Sequence, residues 1–185
     1  MRELAKRFSI FFLALLLAAA SCTDEVQDVY ARTRAFFRFA GVESVHPLYT
    51  ACHNPGQWCT VTLCNSIYSF AAPDGNTATA NATAIDQYGR PEWVAGLIVG
   101  RPSVPDMNGQ TPVMAFDMVC PTCYEESAIQ RSVAFAGNES VTCPRCSRTY
   151  DLTSGGIVTA GPEGKKLYRY RITADGTGGT LVVQN

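Results

Sequence analysis

Histidine is the first scarcity. The 185-residue chain holds two, His46 and His53, both far upstream of its densest cysteine pattern. Imidazole is the commonest metal ligand and the usual general base near neutral pH, and neither histidine stands inside the cysteine pattern, where a metal site would first be sought. Charge is scarce too. Asp, Glu, Lys and Arg make up 17 % of the residues and leave a net charge of −1, which excludes the basic field that attracts nucleic acid. No apolar run reaches the roughly 20 residues of a transmembrane helix; the longest, Phe8 to Ala20, is interrupted by Ser9. A phosphate loop is missing, because Gly176 to Gly179 is followed by neither a lysine nor a helical segment. No nucleophile–base constellation stands out, which points away from an enzyme. Helical periodicity never lasts more than a few turns, whereas 15 Gly, 10 Pro and frequent Val, Thr and Tyr suit short strands and turns.

Cysteine is what the chain has in excess. Of eight, four stand as Cys120-Pro-Thr-Cys123 and Cys143-Pro-Arg-Cys146, with nineteen residues between the pairs. That is the spacing of a four-cysteine metal site. A tight turn in each pair directs two sulfurs toward one point, with Pro121 and Pro144 fixing φ near −65°. The segment Ser127 to Thr142 is long enough for a strand pair that returns the second knuckle beside the first. Soft donors of this kind suit zinc or an iron–sulfur cluster; two disulfides are the alternative in an oxidising compartment. Neither pair is expected to open a helix, which weighs against a reactive thiolate built for thiol–disulfide exchange. Four thiolates on Zn²⁺ carry a net −2, and Arg145 and Arg148, in or beside the second knuckle, are placed to screen it or to serve as ordinary surface charges.

The other cysteines need separate accounts. Cys52 and Cys59 flank the turn Asn54-Pro55-Gly56 and could be bridged. Cys59 and Cys64 point to opposite faces of one strand and so do not pair. At least one of the three is left as a buried thiol. His46 and His53 fall in expected loops and read as solvated or core-edge residues.

Residues 1–21 read as a secretory signal, with Arg2, Lys6 and Arg7 ahead of the apolar run. The run ends in Ala19-Ala20-Ser21-Cys22, which resembles a bacterial lipobox, with Ala where that motif usually has Leu three residues before the cysteine. The resemblance implies that Cys22 is lipid-modified and becomes the mature N-terminus. Residues 22–33 are then a tether, and Thr23-Asp24-Glu25 resembles the acidic export tags of some surface lipoproteins.

Residues 34–185 read as one β domain. Strands are expected at Ala35–Phe39, Trp58–Cys64, Trp93–Val99, Val113–Met118, Gly156–Thr159, Leu167–Ile172 and Thr180–Val183. Val42–Thr50 is expected to be a loop with a strand fragment, Ala72–Gly89 an exposed excursion and Arg101–Thr111 a loop. Along Trp58–Cys64, residues Cys59, Val61 and Leu63 share one face. The base should bury Phe37, Phe39, Val61, Leu63, Leu97, Val99, Met114 and Phe116, beneath a polar tip at about 118–163. The fold class is all-β, an antiparallel sandwich or small barrel.

Ala115-Phe116-Asp117-Met118-Val119-Cys120, Cys143-Pro144, Tyr150-Asp151-Leu152-Thr153-Ser154-Gly155, Gly161-Pro162 and Leu167-Tyr168-Arg169-Tyr170 together resemble the Rieske domain, over roughly Ala95 to Val183. The resemblance implies two metal-binding loops at the tip of an antiparallel β domain, shielded by a Gly-Pro loop. Cys120 and Cys143 match that family's two cysteines, but Cys123 and Cys146 stand in place of its two histidines. Loss of the imidazoles removes what raises a Rieske potential. The chain therefore looks like a Rieske-fold lipoprotein of the bacterial outer membrane whose tip has become a zinc-ribbon or rubredoxin-like site. Its expected cofactor is structural zinc on Cys120, Cys123, Cys143 and Cys146, with a two-iron two-sulfur cluster and electron transfer as the alternative. The expected partner is the membrane, through the lipid; no protein partner is named by these residues.

Overall fold

The computed structural model describes residues 29–83, 91–174 and 179–185. The expected signal peptide, Cys22, most of the tether and the turn Asp175–Gly178 lie outside the described residues. Strands hold 38 % of the described residues and helices 13 %, which makes the fold mostly β. In chain order the strands are β1 (Phe36–Ala40), β2 (Trp58–Cys64), β3 (Ile67–Ala71), β4 (Thr77–Asn81), β5 (Leu97–Gly100), β6 (Met114–Asp117), β7 (Ala134–Phe135), β8 (Ser140–Thr142), β9 (Thr149–Asp151), β10 (Ile157–Ala160), β11 (Arg169–Ala174) and β12 (Thr180–Gln184). Helices α1 (His46–His53) and α2 (Pro121–Ser127) are short.

Eight strands form one antiparallel sheet in the order β1-β12-β11-β6-β5-β2-β3-β4, and the other four form a small sheet in the order β10-β9-β8-β7. The large sheet curls on itself. β1 and β3 are six places apart in it, yet the rings of Phe37 and Tyr68 lie 5.5 Å apart and those of Phe39 and Phe70 5.1 Å. Right-handed strand twist makes such curling the ordinary outcome for a wide sheet. At the β2–β3 turn Asn65 and Ser66 both have positive φ (49° and 63°), the backbone that matches hairpin twist.

Two apolar clusters follow from the alternation of side chains. The inner face of the curl buries Phe37, Phe39, Cys59, Val61, Tyr68, Phe70, Leu97, Val99, Ala115, Tyr170, Leu181 and Val183. Leu48, Ala51 and Cys52 of α1 cap this cluster. Trp58, Ile98, Met114, Phe116 and Leu167 face the other way and pack against Val133, Val141, Tyr150 and Leu152 of the small-sheet region. Trp58 lies over Gly100, where a Cβ would come within 2.5 Å of the indole.

The structure corrects four expectations. Val42–Thr50 is no loop: a 3₁₀ turn at Val42–Ser44 leads into α1, whose Pro47 sits in the first turn, where no N–H is needed. The excursion Ala72–Gly89 contains β4, paired with β3 along five residues. Ala78 and Ala80 pack on the inner cluster while Thr77, Thr79 and Asn81 alternate outward. Met114 and Phe116 do not belong to the base core, because on β6 it is Ala115 that faces inward. Finally, the tip has its own apolar filling and shares it with the sheet.

Phe116 is fully buried at that shared contact. Phe116→Ala should cost about 3–5 kcal/mol in denaturant unfolding. Amide exchange should rise together at Ile98 and Val141; a rise confined to one of them would show that the cluster does not couple sheet and tip.

Candidate metal centre

The first knuckle hangs from the end of β6. Asp117 there is completely buried. Its Oδ2 accepts from Val94 N (2.7 Å) and Tyr170 Oη (3.0 Å), and its Oδ1 from Ala95 N (3.1 Å) and Val119 N (2.8 Å). Four donors on one carboxylate tie three segments together where the chain leaves the sheet. Burial pushes the Asp117 carboxyl up, and the backbone and Tyr170 hydrogen bonds pull it partly back. Beyond it, Val133 N donates to Met118 O (2.7 Å) and Cys120 N to Arg131 O (2.9 Å), which positions Cys120.

Cys120 is the N-cap of α2, and Pro121 occupies the first turn. The expectation that neither pair opens a helix is therefore wrong for the first pair. Proline suits a turn and a helix start equally well, and seven residues show too little periodicity to decide. The helix ends at Ala128 in a left-handed conformation (φ 51°), with Ala128 N donating to Tyr124 O at 2.7 Å.

The second knuckle is the connection between β8 and β9. Thr142 pairs with Thr149, and their hydroxyls lie 3.0 Å apart. Between them Ser147 N donates to Cys143 O and Cys143 N to Arg148 O, both at 2.9 Å, with Ser147 at φ 58°. This closed loop turns Cys143 and Cys146 toward α2.

The four sulfurs converge, all within 4.8 Å of one another. Cys120 Sγ lies 3.7 Å from Cys146 Sγ, and Cys123 Sγ lies 3.9 Å from Cys143 Sγ. Each close contact joins one knuckle to the other, and no S–S bond is made among the described cysteines. Four thiolates about 2.3 Å from one tetrahedral Zn²⁺ stand about 3.8 Å apart, so the donor set fits a single small soft ion. Cys120 and Cys143 are fully buried, Cys123 is 4 % exposed and Cys146 is half-buried.

Three features close the surroundings. Tyr150 is completely buried, and its hydroxyl lies in hydrogen-bond contact with Cys120 Sγ at 3.1 Å. Arg148 is buried beside Cys146 and donates to Pro162 O and Glu163 O at 3.0–3.2 Å. This pins the segment Gly161–Gly164 against both knuckles. The fit leaves no room for side chains: a Cβ on Gly161 would lie 2.7 Å from Ser147 O, and one on Gly164 would lie 2.5 Å from Arg148 Nε and 2.7 Å from Thr122 Oγ1.

The thiols are electrostatically unequal. Burial opposes ionisation of Cys146, but hydrogen bonds from the Arg148 backbone and side chain, and from neighbouring thiols, bring it down to about 6. Burial pushes Cys123 up, and the adjoining thiols raise it further; burial also pushes Cys143 up, partly offset by backbone hydrogen bonds from Cys146 and Arg145. The Tyr150 hydroxyl is pushed up by burial and by its contact with Cys120.

The remaining candidates lie elsewhere. His46 and His53 are exposed at the two ends of α1, which packs on the inner cluster; His53 stacks on Tyr49 with ring centroids 4.2 Å apart. Cys52 and Cys59 are unbridged buried thiols, raised to about 11 and about 12 by burial, and Cys64 is an exposed free thiol. The possible Cys52–Cys59 bridge is thus not formed, since helix and strand each turn their cysteine into apolar packing. Arg145 is exposed and meets Cys143 through its backbone, whereas Arg148 meets Cys146 with its side chain as well. Sequence reasoning missed Tyr150 as a sulfur partner, although its place four residues after Cys146 and midway through a strand is visible in the chain. No protein-family model matches this sequence, and no curated protein matches it.

Two outcomes follow. Tyr150→Phe and Arg148→Leu should each weaken metal retention about 10- to 100-fold in competition with a chromophoric chelator. Stability should carry a component that falls as pH rises through the raised pKa of Asp117. The folded state holds that proton more tightly than the unfolded chain, so the contribution is full below the unfolded value near 3.9. Urea midpoints against pH for wild type and Asp117→Asn should differ in that window; parallel curves would remove Asp117 as the cause.

Proposed function

We propose that this chain is a membrane-anchored envelope lipoprotein with a Rieske-like domain, whose Cys120, Cys123, Cys143 and Cys146 bind one structural Zn²⁺. The observation that carries the metal assignment is the spacing of the sulfurs. One tetrahedral ion asks for contacts near those of the Cys120–Cys146 and Cys123–Cys143 pairs. A two-iron cluster divides its four thiolates between two metals and spreads the pairs apart. The lack of an imidazole or carboxylate among the converging donors also favours a closed structural site over a catalytic one with an open position.

In this reading the metal ties the start of α2 to the β8–β9 connection and makes the tip a fixed platform. Small zinc domains gain roughly 10–16 kcal/mol of apparent binding energy at pH 7, which appears as folding stability. Arg148 offsets part of the negative charge, and Tyr150 orients Cys120. A role in binding or assembly at the envelope suits a rigid, sealed tip better than catalysis does. Thiol–disulfide exchange is disfavoured by the burial of three of the four sulfurs rather than by the absence of a helix. The Rieske-like reading draws support from the two loops, the Gly161-Pro162 segment laid over them, and the antiparallel strands beneath. Membrane attachment rests on the sequence around Cys22.

Metal analysis of purified protein should give one zinc per chain, with Zn–S distances of about 2.3 Å by X-ray absorption. A brown protein with an EPR signal on reduction would instead assign the site to the iron–sulfur cluster. Chelation should alter Trp58 fluorescence and loosen the tip before the Leu97–Val99 region. Cys22→Ala should release the protein from the membrane fraction or block its processing; unchanged retention after removal of residues 1–21 would overturn the anchor.

A further inference from the structure

A groove of about 570 Å³ runs between the N-terminal segment and the approach to β11, on the side of the domain where the chain enters it. Tyr30 and Arg32 form one wall, Lys165, Lys166 and Arg169 the other, and Glu125 of α2 closes one end. Four cations thus face one carboxylate, in a chain whose net charge is −1. That carboxylate is already engaged: Lys165 Nζ pairs with Oε2, and Tyr168 Oη donates to Oε1 at 2.8 Å. Among the described residues, Arg32, Lys166 and Arg169 have no carboxylate within ion-pair distance. Arg169 is held in place by its ring contact, with Cζ 5.7 Å from the Tyr30 centroid, and Arg171 shares that ring at 5.1 Å.

We propose that this groove binds a phosphate-bearing anion. Two guanidinium groups and an ammonium set around one space can each meet a different oxygen of a tetrahedral phosphate, whereas a planar carboxylate offers acceptors in one plane only. The Tyr30 ring and the aliphatic stems of the lysines provide a wall for the organic part of an ester. The phosphate belongs to a phospholipid headgroup or to a soluble phosphate ester. Val29 at the groove lies seven residues after Cys22, a reach of at most about 25 Å when extended, so headgroups are accessible when Cys22 carries lipid. Only that source rests on the anchor reading; soluble binding does not.

The test uses the full chain in neutral detergent, titrated with inorganic phosphate and with glycerol 3-phosphate while the Tyr30 and Arg169 side-chain resonances are followed by NMR. Saturable shifts are expected, weakened at least about tenfold by combined Arg32→Gln and Lys166→Gln. Both positions are exposed, so the variant should fold normally. In parallel, the chain is inserted into phosphatidylcholine vesicles with and without phosphatidylglycerol. Extra amide protection at 30–33 and 165–169 with the acidic lipid would identify the headgroup as the source, and soluble binding alone would identify a free ester. Absence of any shift, or an equal shift with sodium chloride at matched ionic strength, would overturn the proposal. So would phosphate binding that appears only after Asp24→Asn, Glu25→Gln and Asp28→Asn, because the chain's own acidic stretch would then be the occupant.

Discussion

Four sulfurs packed within 4.8 Å of one another impose a charge constraint on everything around them. Two thiolates 4 Å apart repel by about 4 kcal/mol at an effective dielectric constant of 20, so four of them together demand positive charge or protons. Arg148 and the backbone around it draw Cys146 down to about 6, while burial pushes Cys123 and Cys143 up. A divalent cation would replace this uneven sharing with one charge at the centre of all four donors. The buried arginine, the tyrosine hydroxyl on Cys120 and the glycine-lined segment that closes over them all serve a cluster that favours a cation.

That cluster is accurate only because its support is rigid, and β6 provides the support on both of its faces. Phe116 points toward the tip and fills the contact with Trp58 and the small sheet, while Ala115 points into the curled sheet. Asp117, at the end of the strand, binds the backbone of Val94, Ala95 and Val119 together with Tyr170. The six residues from Ala115 to Cys120 thus join the apolar core, a buried polar junction and the first knuckle. The second knuckle has a different anchor, the β8–β9 ladder, and the two meet only because the shared apolar cluster brings the small sheet onto the large one.

The sulfur cluster and the basic groove share the short region of α2 and the segment leading into β11. Lys165 N donates to Thr122 Oγ1, between the two cysteines of the first knuckle, while the Lys165 side chain pairs with Glu125 further along α2. The segment leading into β11 therefore touches the metal-site helix with its backbone and the groove with its side chains. Order at the sulfurs and the shape of the groove are linked through a few residues of α2.

Much of this was legible in the chain, for local reasons. The paired Cys-Pro-x-Cys spacing announces converging thiols, and alternation along Trp58–Cys64 and Thr180–Val183 announces strands, because both signals lie within a few consecutive residues. Short elements were not legible. α1 and α2 carry seven or eight residues and a proline each, which suits a turn as well as a first helical turn, and β4 alternates with side chains no larger than alanine and threonine. Nor did alternation reveal which face of β6 meets which core, since period two separates two sets of residues without naming their partners. The amino-acid sequence by itself determined the donor chemistry of the site and the strands that carry it. Only the tertiary structure decided that Tyr150 and Arg148 reach the sulfurs, that Phe116 belongs to the tip, and that four cations gather beside Tyr30. Each of these depends on contacts between segments far apart in the chain, and long-range packing is set by the whole core at once.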